Sequence, residues 1–435
     1  MDTRIATGAV LLIAVILIAG CTQQQAADSL KIGVVASNTG SASTTGKDIW
    51  QSAVLAAEEI NADGGVYIKD LGKKVPVRVV LGDDESTREG GQKAVTRLIT
   101  EDKVDILVGG FSSAVVSSHQ SIVNEHHVPY IVTGASSPII THRTDMNTNT
   151  TFHYCPTTDD YGRQTTLFAN EVIRPAINEK FGYSEDRPLR MALVYQDSPY
   201  GKGVQTAVIN TIESENLPIV IVANETFKMG ETDFRTLLSS VKAANPDVVY
   251  PATFINEQIP LVTQARRDVG VNAIFLAVEC NDDPDYYTGV GKYGDYSVIE
   301  TRFSPYTIPA GPIANDTAAF KQNFEKRFGG FPGMMGASTY EGVYIAAQAA
   351  ENAGTRDKIA VTSALEALEM PQVIELMENG TIQFTDDYRE ARFELYMEQL
   401  RWNETAQNLR PIIVWPDHLK EGEFVLPDWF EAAEA

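Results

Sequence analysis

The amino-acid sequence predicts an α/β protein of two lobes, each built on a doubly wound parallel sheet. The chain has 435 residues, enough for about two domains that each bury a core. From Leu30 onward, short apolar segments alternate with segments of helical periodicity, and this alternation begins again near residue 154. Repeated strand–helix units are typical of parallel sheets with helices on both faces.

In the first series, each predicted helix follows a predicted strand after a short polar turn. The first helix carries Trp50, Val54, Ala57 and Ile60 on one face, and a Gly-Gly stop follows it. The predicted strands cover residues 30–37, 75–85, 104–110 and 128–137, and the predicted helices cover 48–65, 89–102 and 113–126.

The second series repeats the pattern and is followed by one long Ala-rich helix. Its strands end in Gly, Ser, Thr or acidic residues, as do those of the first series. Ligand sites of such sheets lie outside the carboxyl ends of the strands. The apolar strand segments lie within residues 188–203, 217–228, 246–254 and 272–280, and the helices cover 203–216, 232–244 and 336–355.

The N-terminal segment is typical of an export signal. Arg4 precedes residues 8–20, which carry no charged side chain, and Cys21 follows. Thirteen residues of helix span about 20 Å, whereas the hydrocarbon core of a membrane is about 30 Å thick, so a permanent membrane span is the weaker alternative. "LIAGC" resembles the lipobox of bacterial and archaeal lipoproteins, which implies a signal peptide at 1–20, a lipid on Cys21 and a polar tether at 21–29.

The charge balance excludes several classes of partner. The chain has 58 acidic and 35 basic residues, a formal net charge of −23, which repels nucleic acids and anionic membrane surfaces. The sequence contains no H-E-x-x-H, P-loop or G-x-G-x-x-G motif, so we expect no cofactor and no metal. Apart from Cys21, the cysteines are Cys155 and Cys280, which either form one disulfide or remain two buried thiols.

The segment "GGFSSAVV" at 109–116 has two chemical interpretations. Its strand–turn–helix context is close to the nucleophile elbow of serine hydrolases, with Ser112 as nucleophile. The same segment also fits a helix N-terminus that binds an anion without catalysing a reaction. His119 lies two helical turns from Ser112, about 10 Å away, too far for direct proton transfer, and His418 lies in a segment with surface character. A hydrolase is therefore disfavoured.

The acidic segment 279–285, "ECNDDPD", also allows two interpretations. Glu279, Asp282, Asp283 and Asp285 supply oxygen ligands of the kind Ca²⁺ prefers, but the glycine and terminal glutamate of an EF-hand are missing. In a chain this acidic, a solvated acidic turn is the favoured interpretation.

Several segments together resemble the type I periplasmic-binding-protein family, and most closely the leucine/isoleucine/valine-binding proteins of ABC uptake systems. The similarity covers about 30–420 and rests on "IGVVASNTG", "AVLAAEEINADGG", "GDDEST", "DILVGGFSSAVV", "VPYIVTGASSP", "YQDSPYGKG" and "YEGVYIAAQAAENAGT". The resemblance implies two lobes joined by a three-segment hinge that closes over a ligand. The first lobe would comprise 30–153 and 306–377, and the second 154–305 and 378–435.

The resemblance also implies a set of ligand contacts. The hydroxyls of Ser113 and Ser136 would meet a ligand carboxylate, while the Gly134 carbonyl and the Glu279 carboxylate would accept from a ligand ammonium. Neutral hydroxyls and free amides at helix starts suit a carboxylate, which agrees with this placement. The expected ligand-binding residues are Phe111, Ser112, Ser113, Gly134, Ala135, Ser136, Tyr200, Phe254, Glu279 and Met335.

The sequence departs from the family pattern at several of these places. Thr45 replaces a common aromatic residue, His153 stands where arginine is usual, and Met335 replaces a frequent tyrosine.

From the resemblance we expect a binding protein, not an enzyme, that captures a branched-chain amino acid or a related small zwitterion or amide for an ABC permease. A sensor module for an amide or urea is the alternative. Because the chain ends at "LPDWFEAAEA" and does not continue into a receptor's signalling domain, we expect a free-standing binding protein. We also expect a monomer that is exported and anchored by lipid to the outer face of the cell membrane.

Overall fold

The computed structural model describes residues 28–432, which form two β-sheets with helices packed against them. The predicted signal peptide and the predicted lipidation site Cys21 lie outside the described residues.

The first sheet has five strands, all parallel, in the order β4-β1-β5-β6-β7. β2 and β3 form a separate antiparallel hairpin. In chain order these strands are β1 (Leu30–Ala36), β2 (Val66–Ile68), β3 (Lys73–Val75), β4 (Val77–Asp83), β5 (Ile106–Gly109), β6 (Tyr130–Val132) and β7 (Thr151–His153).

The second sheet has seven strands in the order β16-β15-β12-β11-β10-β8-β9. Its strands from β8 to β12 are parallel, whereas β15 and β16 extend one edge in antiparallel pairing. The strands are β8 (Leu189–Gln196), β9 (Ile219–Phe227), β10 (Val248–Ala252), β11 (Ile274–Ala277), β12 (Val298–Thr301), β13 (Met370–Pro371), β14 (Thr381–Ile382), β15 (Tyr396–Asn403) and β16 (Asn408–Trp415), of which β13 and β14 form a two-stranded pair of their own.

The helices begin and end at residues that satisfy the free backbone groups. Thr87 caps the second helix, because its hydroxyl accepts from the Gly90 amide at 3.0 Å, and Gly354 ends the eleventh with a φ of 66°. The helices are α1 (Ser43–Ala62), α2 (Arg88–Thr100), α3 (Ser113–Glu125), α4 (Thr158–Phe168), α5 (Arg174–Phe181), α6 (Pro199–Ser214), α7 (Arg235–Ala243), α8 (Ile255–Gln264), α9 (Pro284–Val290), α10 (Ala314–Phe328), α11 (Met334–Ala353) and α12 (Lys358–Glu366).

The chain passes between the two halves of the molecule three times. It leaves the first sheet after β7 and builds the second sheet up to β12. It then returns, because α11 packs against α1 and β5, and it finally adds β15 and β16 to the second sheet. In the third passage, Glu390 pairs with His153 of β7. The exact lobe boundaries stay a prediction.

The predicted α/β class and the two lobes are confirmed, and the edge hairpin formed by β15 and β16 is an addition that the sequence did not reveal. The predicted strand at 128–137 is shorter in the structure, because only Tyr130–Val132 pair with neighbours. Among residues 28–432, the structure contains no helix long and apolar enough to span a membrane.

Candidate functional site

The turn after β5, at Gly109 and Gly110, lies at the carboxyl edge of the first sheet. Gly109 and Gly110 have φ angles of 101° and 85°, which favour glycine. A Cβ atom on Gly110 would also collide with the Tyr130 hydroxyl. α3 begins directly after this turn, with Ser112 as its N-cap residue and Ser113 as its first residue. The turn therefore presents the amino end of a helix at the carboxyl edge of the sheet.

The next loop, 134–137, lies against this helix start. The Ser113 hydroxyl accepts from the Ser137 amide at 3.1 Å, and the Ala135 carbonyl accepts from Nε2 of His153 at 2.7 Å. A Cβ atom on Gly134 would come within 2.9 Å of the Met335 sulfur, so glycine allows the first residue of the loop to approach α11. Hydrogen bonds thus fix the loop from both sides.

The second half of the molecule faces these two loops with aromatic rings. Phe254, the N-cap residue of α8, lies with its ring centroid 4.4 Å from that of Phe111 and 5.5 Å from that of Tyr200. The contact between Phe111 and Phe254 joins the two halves directly. Such tilted and offset ring pairs stabilise by about 1 kcal/mol beyond the area they bury.

A small cavity lies between the two halves at this place. Aromatic rings, one methionine, one carboxyl and two polar backbone segments surround it. The lining residues are Phe111, Gly134, Ser136, Tyr161, Tyr200, Phe254, Val278, Glu279, Cys280 and Met335.

Seven of the ten residues expected from the sequence line this one cavity. Ser112, Ser113 and Ala135 are buried and do not line it. The part of all ten in ligand binding stays a prediction. Tyr161, Val278 and Cys280 line the cavity without having been predicted. Val278 and Cys280 flank Glu279 in sequence and could have been found by extending the strand end, whereas no pattern in the sequence marks Tyr161.

Glu279 is the one acid that lines the cavity, and its environment is unusual. The side chain is 1 % exposed. Its Oε1 accepts a short hydrogen bond from the Tyr161 hydroxyl and lies 3.6 Å from Nη2 of Arg302, whereas its Oε2 has no hydrogen-bond partner. Burial raises the pKa of Glu279 to about 7, although Arg302 and Tyr161 act to lower it. The site therefore holds a buried acceptor that is half protonated near neutral pH.

Arg302, which the sequence did not single out, links Glu279 to the other half of the molecule. Its Nε lies 3.1 Å from Oε1 of Glu375, and its Nη2 donates to the Ser338 hydroxyl of α11 at 2.6 Å. The guanidinium stacks over the ring of Phe393 at 4.3 Å. Because these partners come from different passages of the chain, no local spacing could have revealed the group.

Cys155 and Cys280 are both buried, and both are free thiols. Of the two alternatives open from the sequence, the structure shows unpaired cysteines. Cys155 lies 4.0 Å from Oε1 of Glu279, and Cys280 donates to the Thr253 carbonyl at 3.3 Å. Burial raises the pKa of the Cys155 thiol to about 12, so it is protonated at neutral pH.

The geometry around Ser112 is not that of a hydrolase. Within residues 28–432, no histidine forms a hydrogen bond with Ser112, and both ring nitrogens of His119 are buried without a partner. Burial lowers the pKa of His119 to about 3. His418 lies far along the chain and forms a hydrogen bond with Glu394 at the surface.

Three of the four acids in the segment 279–285 are buried and only Asp285 is exposed, which corrects the favoured interpretation of a solvated turn. Asp282 is fully buried and accepts from the Tyr287 hydroxyl at 2.8 Å, and Asp283 is 6 % exposed and caps α9 through the Asp285 amide at 2.8 Å. Side-chain and backbone donors thus replace water here. In the part of the chain that the structure describes, no group of three or more His, Cys, Asp or Glu side chains is placed to hold a metal ion.

Comparison with known proteins shows which family has this sequence and fold. The family model described as periplasmic binding protein matches residues 29–406. An amino acid binding protein of Pseudomonas aeruginosa is 26% identical over 360 residues, which cover 82% of this chain and 87% of that protein.

Two solved structures illustrate the range of ligands among proteins with this fold. The branched-chain amino acid transporter substrate binding protein LivJ of Streptococcus pneumoniae, in complex with isoleucine, has a TM-score of 0.71 at 22% identity, over 88% of this chain and 99% of that one. A solute binding protein of an ABC transporter from Rhodopseudomonas palustris, in complex with 3,4-dihydroxy benzoic acid, has a TM-score of 0.72 at 20% identity, over 91% and 98% of the two chains.

The family match covers most of the chain, and the two-lobed α/β fold and the cavity between its halves agree with that match. The chain therefore belongs to the type I periplasmic-binding-protein family.

Proposed function

We propose that the protein is the extracytoplasmic solute-binding component of an ABC importer and that it captures a branched-chain amino acid or a related small zwitterion or amide. The observation that carries this proposal is the cavity between the halves, which combines an apolar aromatic wall with one buried carboxyl whose Oε2 is free. The protein performs no covalent chemistry; it captures a solute by lobe closure and delivers it to a membrane permease.

The two ends of the cavity suit the two ends of an amino acid. On one side, Glu279 offers Oε2 as an acceptor for an ammonium group. Among the other lining residues, the hydroxyl of Ser136 offers a donor for a carboxylate, and the helix start after Ser112 lies against the loop that carries Ser136. Phe111, Phe254 and Met335 supply the apolar surface for a branched side chain.

The remaining parts of the proposal concern location and organisation. Lipid on Cys21 would hold the protein at the outer face of the membrane, where a monomer meets the permease. The lobes would divide at 153/154, 305/306 and 377/378 and close over the ligand as a hinge.

Isothermal titration of the purified protein against the twenty amino acids, urea and short amides tests the ligand class. We expect one branched-chain amino acid or a related molecule to bind, and Ser113→Ala to weaken that binding. Ser117→Ala is the matched control, because Ser117 lies one turn further along α3 and its hydroxyl bonds only to the Ala114 carbonyl, at 3.3 Å. Binding of no amino acid and no amide would contradict the proposal.

An aromatic carboxylic acid is the second candidate ligand. Four of the lining residues, Phe111, Tyr161, Tyr200 and Phe254, carry aromatic rings, and the Rhodopseudomonas palustris protein of the same fold was solved with such an acid. Adding benzoate and its hydroxylated derivatives to the titration separates the two candidates. A sensor module for an amide or urea, the alternative from the sequence, would bind those ligands in the same assay and fail to stimulate uptake with a permease.

A further inference from the structure

A second pocket opens between the two halves, beside the ligand cavity and separate from it. Among residues 28–432, none lines both spaces, and the start of α11 divides them, because Gly333 lines the pocket and Met335 lines the cavity. The pocket is lined by three acids and three phenylalanines, among other residues, and we call it the acidic pocket. These six residues are Asp48, Asp283, Asp285, Phe324, Phe328 and Phe331.

Two of the three acids are buried and come from different halves of the molecule. Asp48 lies on α1, which packs against the first sheet, and is 8 % exposed. Asp283 caps α9, which follows β11 of the second sheet, and is 6 % exposed. A Cβ atom on Gly333 would collide with Oδ2 of Asp283 and lie 3.0 Å from Oδ2 of Asp48. The two carboxyl groups therefore face each other across a single backbone residue.

Asp283 carries the free acceptor of this pair. Its Oδ1 accepts from the Asp285 amide at 2.8 Å, whereas its Oδ2 accepts no hydrogen bond and forms no ion pair within residues 28–432. Asp48 accepts from the amides of Gly333 at 3.1 Å and Gly336 at 2.6 Å, at the amino end of α11. The pocket thus contains a carboxylate oxygen on a nearly buried side chain that no donor of the described residues satisfies.

The charge of the acidic pocket is not balanced by the chain around it. Lys47 also lines the pocket, but it is exposed and forms no ion pair with these acids in the described part of the chain. Like charges at this range repel and oppose the approach of the halves. Burial raises the pKa of both Asp48 and Asp283, so a shared proton is the alternative to a bound cation.

The lining favours an organic cation over a metal ion. Within residues 28–432, no group of three or more His, Cys, Asp or Glu side chains is placed to hold a metal, whereas an ammonium group needs only hydrogen-bond acceptors. Phenyl rings beside the acids attract a cation and give an alkyl chain an apolar surface. Phe324 is buried, and Phe331 is 37 % exposed and open to an incoming molecule.

We propose that the acidic pocket is a second binding site, which holds a small alkylammonium ion between Asp48 and Asp283. The ammonium group donates to Oδ2 of Asp283 and contacts the carboxylate of Asp48, while the alkyl chain lies against Phe324 and Phe331. Because the two acids belong to different halves, the bound cation favours the arrangement in which they face each other. This inference goes beyond the proposed function and does not depend on which solute fills the ligand cavity.

The test is calorimetric titration of the whole, ligand-free protein with n-butylammonium chloride near pH 8, at an ionic strength held constant with potassium chloride. We expect saturable binding. 1-Butanol, which has the same alkyl chain without the charge, should bind at least tenfold more weakly, because a charge-assisted hydrogen bond is lost. Calcium chloride is titrated in parallel, and tighter binding of Ca²⁺ than of butylammonium would overturn the assignment of an organic cation.

Two variants, one in each half, locate the amine. Asp283→Asn keeps the oxygen that caps α9 and removes the charge, and it should weaken butylammonium binding at least tenfold. Asp48→Asn should do the same from the first half. Asp357→Asn is the matched control, because Asp357 also caps a helix, through the Ala360 amide at 3.0 Å, but does not line the pocket. This control should bind butylammonium as the unmodified protein does.

The contrary outcomes are distinct. If the two acids share a proton instead of binding a cation, butylammonium shows no saturable binding, and the inference falls. Binding that Glu279→Gln abolishes and Asp283→Asn leaves unchanged would place the amine in the ligand cavity and overturn the inference as well. Neither outcome affects the solute titration that tests the proposed function, so the two can fail separately.

Discussion

Replacing Glu279 by glutamine is expected to stabilise the ligand-free protein at neutral and basic pH while it weakens ligand binding. The carboxyl is 1 % exposed, and burial raises its pKa to about 7 from an ordinary value of 4.5. A glutamine side chain has almost the same shape, and its carbonyl oxygen can accept the hydrogen bond from Tyr161.

The expected gain follows from linkage. Because the pKa of Glu279 is higher in the folded than in the unfolded chain, its contribution to stability is full below about pH 4.5 and is lost as the pH rises towards 7. At 1.36 kcal/mol for each pH unit between these values, the loss amounts to about 3 kcal/mol at pH 8. Glutamine avoids this loss, and the pKa of about 7 already includes the attraction to Arg302, so we expect a gain of about 3 kcal/mol.

Guanidinium unfolding of ligand-free protein, followed by tryptophan fluorescence, measures this gain. The difference in the free energy of unfolding between Glu279→Gln and the unmodified protein should reach about 3 kcal/mol near pH 8 and vanish near pH 4. Glu325→Gln, on the exposed face of α10, is the control and should show no such pH dependence. A destabilisation by Glu279→Gln at pH 8, or the same difference at both pH values, would refute the reasoning.

Three further predictions follow from other contacts. Ser113→Ala removes the acceptor of the Ser137 amide and should weaken ligand binding by about 1.5–3 kcal/mol in calorimetry, as expected for a hydrogen bond to a charged group; unchanged affinity would contradict its role. Glu390→Gln should destabilise the protein by about 3 kcal/mol near pH 7 and much less near pH 3 in thermal unfolding. Neighbouring histidines and a hydroxyl outweigh burial and lower the Glu390 pKa to about 2. The contribution of Glu390 to stability is therefore lost as the pH falls from 4.5. Asp283→Asn should tighten ligand binding several-fold near pH 8, since Asp283 faces Asp48 across the halves, and burial together with the charge of Asp283 raises the pKa of Asp48. Weaker binding would show that the pair does not oppose closure.

The parts of the site that the sequence predicts are those that depend on local geometry. The Gly109-Gly110 turn, the helix start at Ser113 and the loop at Gly134 each follow a strand end, and parallel strands bring their carboxyl ends to one edge of a sheet. A strand–helix alternation therefore predicts both the fold and this half of the cavity. The assignment of Glu279 needed the family resemblance, because an acid after an apolar strand is otherwise most often a surface residue.

The parts that the sequence did not predict arise from contacts between distant passages of the chain. Tyr161 reaches Glu279 from 118 residues away in the chain and Arg302 from beyond the next strand, and Glu375 approaches after the chain has returned to the first half. No periodicity links these positions. The burial of Asp282 and Asp283 has the same origin, because the start of α11 packs on this segment and the Met334 amide donates to the Asp282 carbonyl at 3.0 Å.

Under the proposed function, these distant contacts let the hinge respond to occupancy. In the proposed closure, Phe111 meets Phe254 and Glu279 loses its contact with water, as both are placed in this structure. Without a ligand cation, that step places a carboxyl with an unpaired Oε2 in an apolar cavity, a cost of about 3 kcal/mol by the linkage argument above. A ligand ammonium removes this cost, and a difference of about 3 kcal/mol changes the ratio of closed to open protein by more than 100-fold. The free carboxylate oxygen that makes the site costly to close is therefore also what makes closure report the presence of a ligand.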